Sequence, residues 1–528
     1  MAVVAALIVL AAQGSAPAQQ FPGVFTVDTT ADGNDGECTN DCTLREAVAL
    51  STTSGSSITL PPGVYRLTSG PLILQNNPVI IGAGLVGGFG AGARTTVIDA
   101  RNRSRVVQVP TGSSSIIAGV TLTGGAATTG GAALVEDEGT LQFYNSIIEG
   151  NTASARGGAI TSLGTVAVQN STVAGNRVTG GSGGGIAVEA NGDGIILAST
   201  VSGNTATTNG GAITSAGSLV IQGSTLAGGL FQESTDGAGI SMWNTILSGG
   251  AGAACGGSIA GIPRGTFSRN LADDATCQLT GTEGVQNVDP RLGVLKNNGG
   301  PTDTRALGAG SPAINAADPS LCGSPDQRGA APVGVCDIGA FEFGGRPPEP
   351  QLPPPVPGET VNVTRARGIV KVKLPGSDEF FQLKQGQQVP IGSIFDTTKG
   401  RVNLVAAANN TGGTQKAWFY EGLFKISQTK GRKPRTTLAM TGKLSCGKGG
   451  ASAAAKKKKK RRLWGDGKGR FRTKGRHSAA TVLGTKWLVE DRCNGTVTKV
   501  VKGKVVVTQF KPRRTIRLKA GQQYFAKR

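Results

Sequence analysis

Apolar residues in this chain fall in short runs rather than in long stretches or helical stripes. Ser57–Leu60, Val64–Leu67, Leu72–Leu74, Val79–Ile81, Thr96–Ile98, Val106–Val109 and Ile116–Leu122 are each bounded by Gly, Pro or Asn. Runs this short, rich in β-branched residues and punctuated by turn formers, predict strands. From about Ala118 to Gly250 the pattern becomes periodic. A Gly-Gly-Ala-Ile element starts at Gly157 and returns as GGGI at Gly183, GGAI at Gly210 and GAGI at Gly237. A second mark, small-polar then apolar and closing on Gly, occupies Asn145–Asn151, Asn170–Asn176, Ala198–Asn204, Gly223–Gly229 and Asn244–Gly250. A fixed step near 26 residues predicts a solenoid with one coil per repeat, roughly nine or ten coils between residues 57 and 300.

The pleat of such a coil sends Val, Ile and Leu inward and their polar neighbours outward, with rungs about 4.8 Å apart. Glycine supplies positive φ at the corners. Asn151, Asn176 and Asn204 recur at one corner, where stacked amides are placed to hydrogen-bond between rungs. Ahead of the solenoid, Cys42–Leu50 reads CTLREAVAL. Thr43 followed by Glu46 is a capping box, and Leu44, Ala47 and Val48 share one helical face. This predicts a short amphipathic helix covering the open apolar end.

Seven prolines between Pro347 and Pro357 mark a linker at 345–360, a semi-rigid polyproline II spacer. Beyond it, Gly368–Lys373, Gly386–Gly392, Gly400–Val405, Phe424–Ser427, Ala479–Glu490, Gly495–Val507 and Thr515–Tyr524 alternate polar and apolar residues. They predict a second all-β domain over 361–528. A basic, low-complexity segment at 447–477 interrupts it and reads as a long loop.

Charge divides the chain at the linker. Residues 1–350 carry 15 Lys and Arg against 25 Asp and Glu, and residues 351–528 carry 39 against 8. The first part is thus net −10 and the second net +31, which together give the net +21 of the chain. Charge on that scale captures polyanions. The candidate contact residues are Lys456, Lys457, Lys458, Lys459, Lys460, Arg461, Arg462, Trp464, Lys468, Arg470, Phe471, Arg472, Lys474 and Arg476, with Trp464 and Phe471 as the rings interleaved among cations. No helix-turn-helix or finger pattern occurs, which excludes sequence-specific nucleic-acid reading.

The first residues read as an export signal, with an apolar core at Val3–Ala12 and cleavage near Ala18, although no basic residue precedes Arg45. Eight cysteines form four sequence-local pairs, Cys38/Cys42, Cys255/Cys277, Cys322/Cys336 and Cys446/Cys493. An even count suits disulfides in an oxidising compartment, with the connectivity open. A bridge between Cys446 and Cys493 would pin the basic loop at its base. Zinc is disfavoured by the absence of any CxxC and by a single histidine, His477.

Catalytic chemistry finds little support. Acids inside the repeats (Glu149, Glu189, Asp193, Glu233 and Asp236) do not read as recurring at one coil position, so no carboxylate column is expected. Asp273-Asp274 reads as a solvated turn, and His477 has no Ser or Cys partner. Asp32, Asn34 and Asp35 beside Gly36 lack the remaining ligands of a calcium loop. Neither a metal nor a cofactor is expected.

Two stretches resemble known families. CTLREAV resembles the CSLREA motif at the head of exported bacterial β-helix proteins. NNGGPTDTRAL, GSPAIN, DQRG and CDIGAFEF, in order between Asn297 and Phe343, resemble the choice-of-anchor Q family. Together they cover about 22–344 and imply a right-handed parallel β-helix, with a C-terminal cap, displayed on a bacterial surface. Residues 362–527 resemble the FecR-type domain, best at 479–524, which implies an exported partner-contacting β-domain; the membrane helix and anti-sigma segment of classical members have no counterpart here. The expected function is a non-enzymatic, secreted or cell-surface, adhesin-like scaffold. Its cationic domain would hold anionic envelope polymers, acidic glycans or an anionic membrane surface. A polysaccharide lyase or hydrolase using the solenoid groove is the alternative, and an envelope sensor is the second.

Overall fold

The computed structural model describes residues 23–39, 41–52, 54–83, 85, 92–233, 239–250, 252–257, 266–322, 324–348, 352, 354–375, 380–383, 386–442, 444, 446, 460–482 and 485–528. The export-signal segment 1–18 and Lys456–Lys459 lie outside them. The chain separates into two compact units, Met1–Pro348 and Glu349–Arg528.

The first unit is a parallel β-helix. Two sheets of ten strands and one of eight run along it, and each strand pairs in parallel with its equivalent one coil later. In the first sheet, Leu141, Val166, Gly194 and Leu219 occupy one register position, and Phe143, Val168, Ile196 and Ile221 another. The side chains at these positions, wherever there is one, are fully buried in one continuous core. The expected single run Ile116–Leu122 is two strands, Ser114–Ala118 and Thr121–Thr123. Gly119, at φ +69°, turns the corner between them.

The recurring Gly pair has a steric cause. Gly157 lies at φ +59°, and a Cβ there would run into the Ile160 carbonyl. A Cβ on Gly158 would meet the Gly184 carbonyl of the next coil. The asparagine corner forms the expected ladder: Asn151 Nδ2 donates to Asn176 Oδ1 at 2.9 Å, and Asn176 Nδ2 to Asn204 Oδ1 at 2.9 Å. A serine ladder runs beside it, with Ser146, Ser171 and Ser199 each donating a backbone N–H to the hydroxyl of Ser171, Ser199 and Ser224.

Helix Leu44–Ala49 seals the N-terminal end. Thr43 Oγ1 accepts from Glu46 N and Glu46 Oε2 from Thr43 N, completing the capping box. Leu44, Ala47 and Val48 join the solenoid core. Arg45 ties the helix to the Asp32 carboxylate at 2.8 Å and to the Gly70 and Pro71 carbonyls.

The segment expected as a C-terminal cap does something else: residues 302–340 bind along the side of the solenoid. They lie on the outward column of the second sheet, where Thr172, Thr200, Thr225, Ile246 and Leu271 are in register. Thr172 Oγ1 donates to the Asp303 carbonyl at 2.6 Å, Thr200 Oγ1 to Gln327 Oε1 at 2.6 Å, and Ala340 N to Thr225 Oγ1 at 3.1 Å. Ile246 and Leu271 pack with Leu307, Ala313 and Ile338. A column of threonines and aliphatics facing outward needs such a cover, because buried hydroxyls must be paired.

The second unit is an all-β domain built on one long, nearly closed sheet of mostly antiparallel strands. Trp487, Phe395, Phe419, Phe424 and Phe471 fill its core. Residues expected in a basic loop are strands of this sheet. Arg461–Lys468 lies between Thr414–Tyr420 and Thr485–Arg492, and Phe471–Lys474 lies between Thr436–Met440 and Ser478–Val482. Leu463, Gly465, Phe471 and Thr473 alternate inward there, which is the period of a half-buried strand. Among the described residues, no helix is long and apolar enough to cross a membrane.

The disulfide connectivity left open by the sequence follows the four local pairs. Cys38 is bridged to Cys42, Cys255 to Cys277, Cys322 to Cys336 and Cys446 to Cys493, with Cα separations of 4.2, 4.9, 5.5 and 5.6 Å. Two bridges sit in surroundings that differ from expectation. Cys336 belongs to the segment covering the second sheet rather than to an end cap. It is buried there in the cluster that holds Ile246 and Leu271, and its N–H donates to Cys322 Sγ at 3.3 Å. The Cys446–Cys493 bridge does not pin the base of a simple loop. Cys493 lies in the turn between strands Thr485–Arg492 and Gly495–Lys502, and the chain it closes back to Cys446 contains the paired strands Arg461–Lys468 and Phe471–Lys474. The bridge therefore staples part of the sheet itself, because alternating apolar residues draw that basic segment into the core.

Candidate functional site

The sheet splits the predicted cationic residues into different roles. Lys460 reaches Glu490 at 3.7 Å, Arg462 reaches Glu421 at 2.9 Å, and Arg461 is engaged by the fully buried Asp491. Phe471 is a correction to the sequence expectation. Its ring is fully buried with its centroid 5.6 Å from that of Phe419, so it is core rather than contact surface. Arg472 is half-buried, and burial together with the neighbouring Arg435 charge lowers its pKa. Lys468, Arg470, Lys474 and Arg476 are exposed.

Strand pairing adds residues that the sequence alone did not single out. On the outward face, Arg401, Tyr420, Trp464 and Leu488 form one row across four strands. Asn403, Trp418, Asp466, Lys486 and Lys502 form the next, and Lys416 sits opposite Lys468. The rings and cations interleave. Tyr420 and Trp464 are parallel with centroids 6.0 Å apart, the Arg401 guanidinium lies 5.2 Å from both the Trp418 and Tyr420 centroids, and Lys416 Nζ lies 5.6 Å from Trp418. Each ring thus has another ring or a protein cation for a neighbour. The effect of the rings is to hold Arg401 and Lys416 in place. One acid, Asp466, lies in these rows and pairs with Arg401 at 3.3 Å. The signal that could have found this face is the period-two KAWFY run at 416–420, which places Lys, Trp and Tyr on one side of a strand.

The solenoid corrects a second expectation. Val135, Ser162, Val188, Ser215 and Gln232 are in register across the eight-stranded sheet. The residues that follow them, Glu136, Leu163, Glu189, Ala216 and Glu233, each donate N–H to the preceding coil. Glutamate thus occupies the same corner on alternate coils, and a carboxylate column exists. Arg156, at the end of strand Thr152–Arg156, bridges two of its members, with Nε 2.7 Å from Glu189 and Nη2 2.8 Å from Glu233. Asp236 falls outside the described residues.

The other acids are structural. Glu149 pairs with Arg94, which also binds Asp303. Asp273 accepts from Ser248 and Gly249, and Asp274 from Ala254 and Thr276, closing the turn before Cys277. Asp32 is committed to Arg45, Thr68 and Ser69. His477 is half-buried, and burial lowers its pKa. Among the described residues no group of three or more His, Cys, Asp or Glu side chains is placed to hold a metal ion.

A buried charged cluster lies in the segment covering the second sheet. Asp326 and Arg328 pair at 2.6 Å, Glu342 Oε1 accepts from Asp337 N, and Glu342 Oε2 is buried without a partner. Burial, reinforced by the Asp337 and Asp326 charges, pushes Glu342 up to about 7.

Comparison with protein-family models, curated proteins and solved structures finds no match to this chain.

Proposed function

We propose that the protein is an exported, non-enzymatic surface scaffold whose parallel β-helix is held to anionic envelope polymers by its cationic second domain. The reading is carried by the outward face bearing Arg401, Lys416, Lys468, Lys486 and Lys502 against the lone acid Asp466. A row of fixed cations neutralises a polymer's charges and releases its counterions. Because the face is dominated by fixed cations, recognition is by charge. That suits an acidic cell-wall polymer or glycan. Four bridged cysteine pairs fit an oxidising, extracytoplasmic setting. The CSLREA, choice-of-anchor Q and FecR-type resemblances support the same placement.

The test is binding of the full chain to purified cell walls across a salt series. Release of intact protein as salt rises, and loss of binding in Lys416→Gln/Lys468→Gln/Lys486→Gln, are the expected results. Retention through high salt by that triple variant refutes the tether. Removing 447–477 is unsuitable, since it takes two core strands with it; removal of 447–459 leaves those strands intact.

A further inference from the structure

A groove flanks the carboxylate column of the solenoid. Its floor is the outward face of the eight-stranded sheet, where Leu134 and Thr161 are in register. One wall is the small sheet Ala126–Thr129, Thr152–Arg156, Arg177–Val178, which stands beside that face. The other wall is the corner, where four-residue turns carrying Glu136 and Glu189 alternate with the two-residue turns Leu163-Gly164 and Ala216-Gly217. The longer turns project Asp137 and Asn191 two rungs apart. The cavity between the walls has a volume of about 480 Å³ and is lined by Thr129, Leu134, Asp137, Thr161, Glu189 and Asn191 among others.

We propose that this groove binds a neutral, polyhydroxylated glycan chain. Three consecutive coils contribute to it, so it extends roughly 10 Å by rung spacing, the reach of a disaccharide within a longer chain. Its polar groups are those that suit hydroxyls: carboxylates and an amide able to take two neighbouring O–H groups, and threonine hydroxyls that both donate and accept. Leu134 and Leu163 offer apolar contact between them, the usual division of labour in a small-molecule site. The charge on the walls selects against an acidic polymer. Asp137 and Glu189 line the groove. Glu136 is engaged by Gln108 and Thr111, and the nearby Arg105 guanidinium is spent on the Thr129 and Gly130 carbonyls and Gln108. Glu233 shares the Arg156 guanidinium with Glu189. Both carboxylates accept hydrogen bonds from that guanidinium. Arg156 is a positioning residue that fixes the two carboxylates from the opposite wall. The second sheet offers no comparable surface, because residues 302–340 cover it.

This proposal stands on the solenoid alone and does not depend on the cationic domain. The test uses the full chain on an array of neutral glycans (β-glucans, mannans, xylans and chitin oligosaccharides) beside acidic ones. Calorimetric titration with the neutral oligosaccharides that bind follows. Two variants accompany it. Ala190→Trp, at an exposed turn position lining the cavity, fills the groove without touching the core. Arg156→Gln releases the two carboxylates. Binding of a neutral glycan, abolished by Ala190→Trp and weakened at least about tenfold (about 1.4 kcal/mol) by Arg156→Gln, with acidic-polymer binding unchanged in both, is the expected outcome. No neutral glycan bound, or neutral binding unaffected by Ala190→Trp, overturns the proposal. Acidic-glycan binding lost in Ala190→Trp also overturns it, since the groove would then be selecting charge.

Discussion

Thr200 donates its hydroxyl to Gln327 Oε1 at 2.6 Å across 127 residues of sequence. The amide nitrogen of the same Gln327 lies within hydrogen-bond distance of Thr172 Oγ1, Thr302 Oγ1 and the Ser171 and Asp303 carbonyls. One fully buried side chain thereby connects two coils to the segment that covers them. Gln327→Leu would leave several of these groups unpaired, at about 1–3 kcal/mol each. The expected result is a loss of at least about 3 kcal/mol and easy proteolysis of residues 297–343, read by denaturant titration and limited digestion.

The amide ladder gives a sharper contrast. Asn176 Nδ2 donates to Ile148 O, Ala174 O and Asn204 Oδ1. Asn176→Ala removes those donors and should cost about 2 kcal/mol. Asn176→Asp keeps the shape but faces three acceptors with a buried carboxylate, and should cost more at neutral pH than at acid pH. Thermal melts of both variants at two pH values check this.

Two carboxyl groups of the first unit titrate in opposite senses. Glu342 is pushed up to about 7 from 4.5, so the folded state holds a proton that the unfolded chain releases. Its contribution is greatest below about 4.5, falls as pH rises to about 7, and is flat above. Asp32 behaves in reverse. Burial opposes its ionisation, but hydrogen bonds from Arg45, Thr68 and Ser69 overcome this and lower its pKa, so its contribution is lost as pH falls through that lowered value. Glu342→Gln should match the parent near pH 4 and exceed it by up to about 3 kcal/mol at pH 8. Equal melting differences at both pH values would contradict the assignment.

On the cationic domain, Phe471 and Lys468 should part company. Phe471→Ala empties a fully buried site beside Phe419 and should cost about 3–5 kcal/mol. Lys468→Gln, exposed and opposite Lys416, should change stability by under about 0.5 kcal/mol. It should still weaken polyanion binding and lower its salt dependence. Melting and salt-dependent titration on the same samples distinguish the two effects.

Sequence periodicity determined the coil, because the features that repeat are those that each rung needs from its neighbour. Gly157 and Gly158 leave room for the next backbone, Asn151 and Asn176 pair with the next amide, and Leu141 and Val166 fill the next layer. Thr43 and Glu46 fixed a helix start for an equally local reason. The acidic-to-basic change at the linker was legible as well. Cysteines were legible as sequence neighbours, Cys322 with Cys336 and Cys446 with Cys493 included, but what each bridge staples depends on the fold around it. What rests on which strands become neighbours was not legible. Glu189 and Glu233 are separated by 44 positions, and irregular turn lengths between them hide a shared corner that only the register reveals. Phe471 looked like a ring among cations until its strand's pleat turned it inward. Trp418, Tyr420 and Trp464 come from two strands whose pairing no local pattern specifies. The segment with GSPAIN and DQRG looked like an end cap, yet the outward threonine column of the second sheet holds it along the side. Local steric and hydrogen-bonding demands are written into each repeat, whereas charge and ring adjacency arise from long-range pairing and exist only in the folded chain.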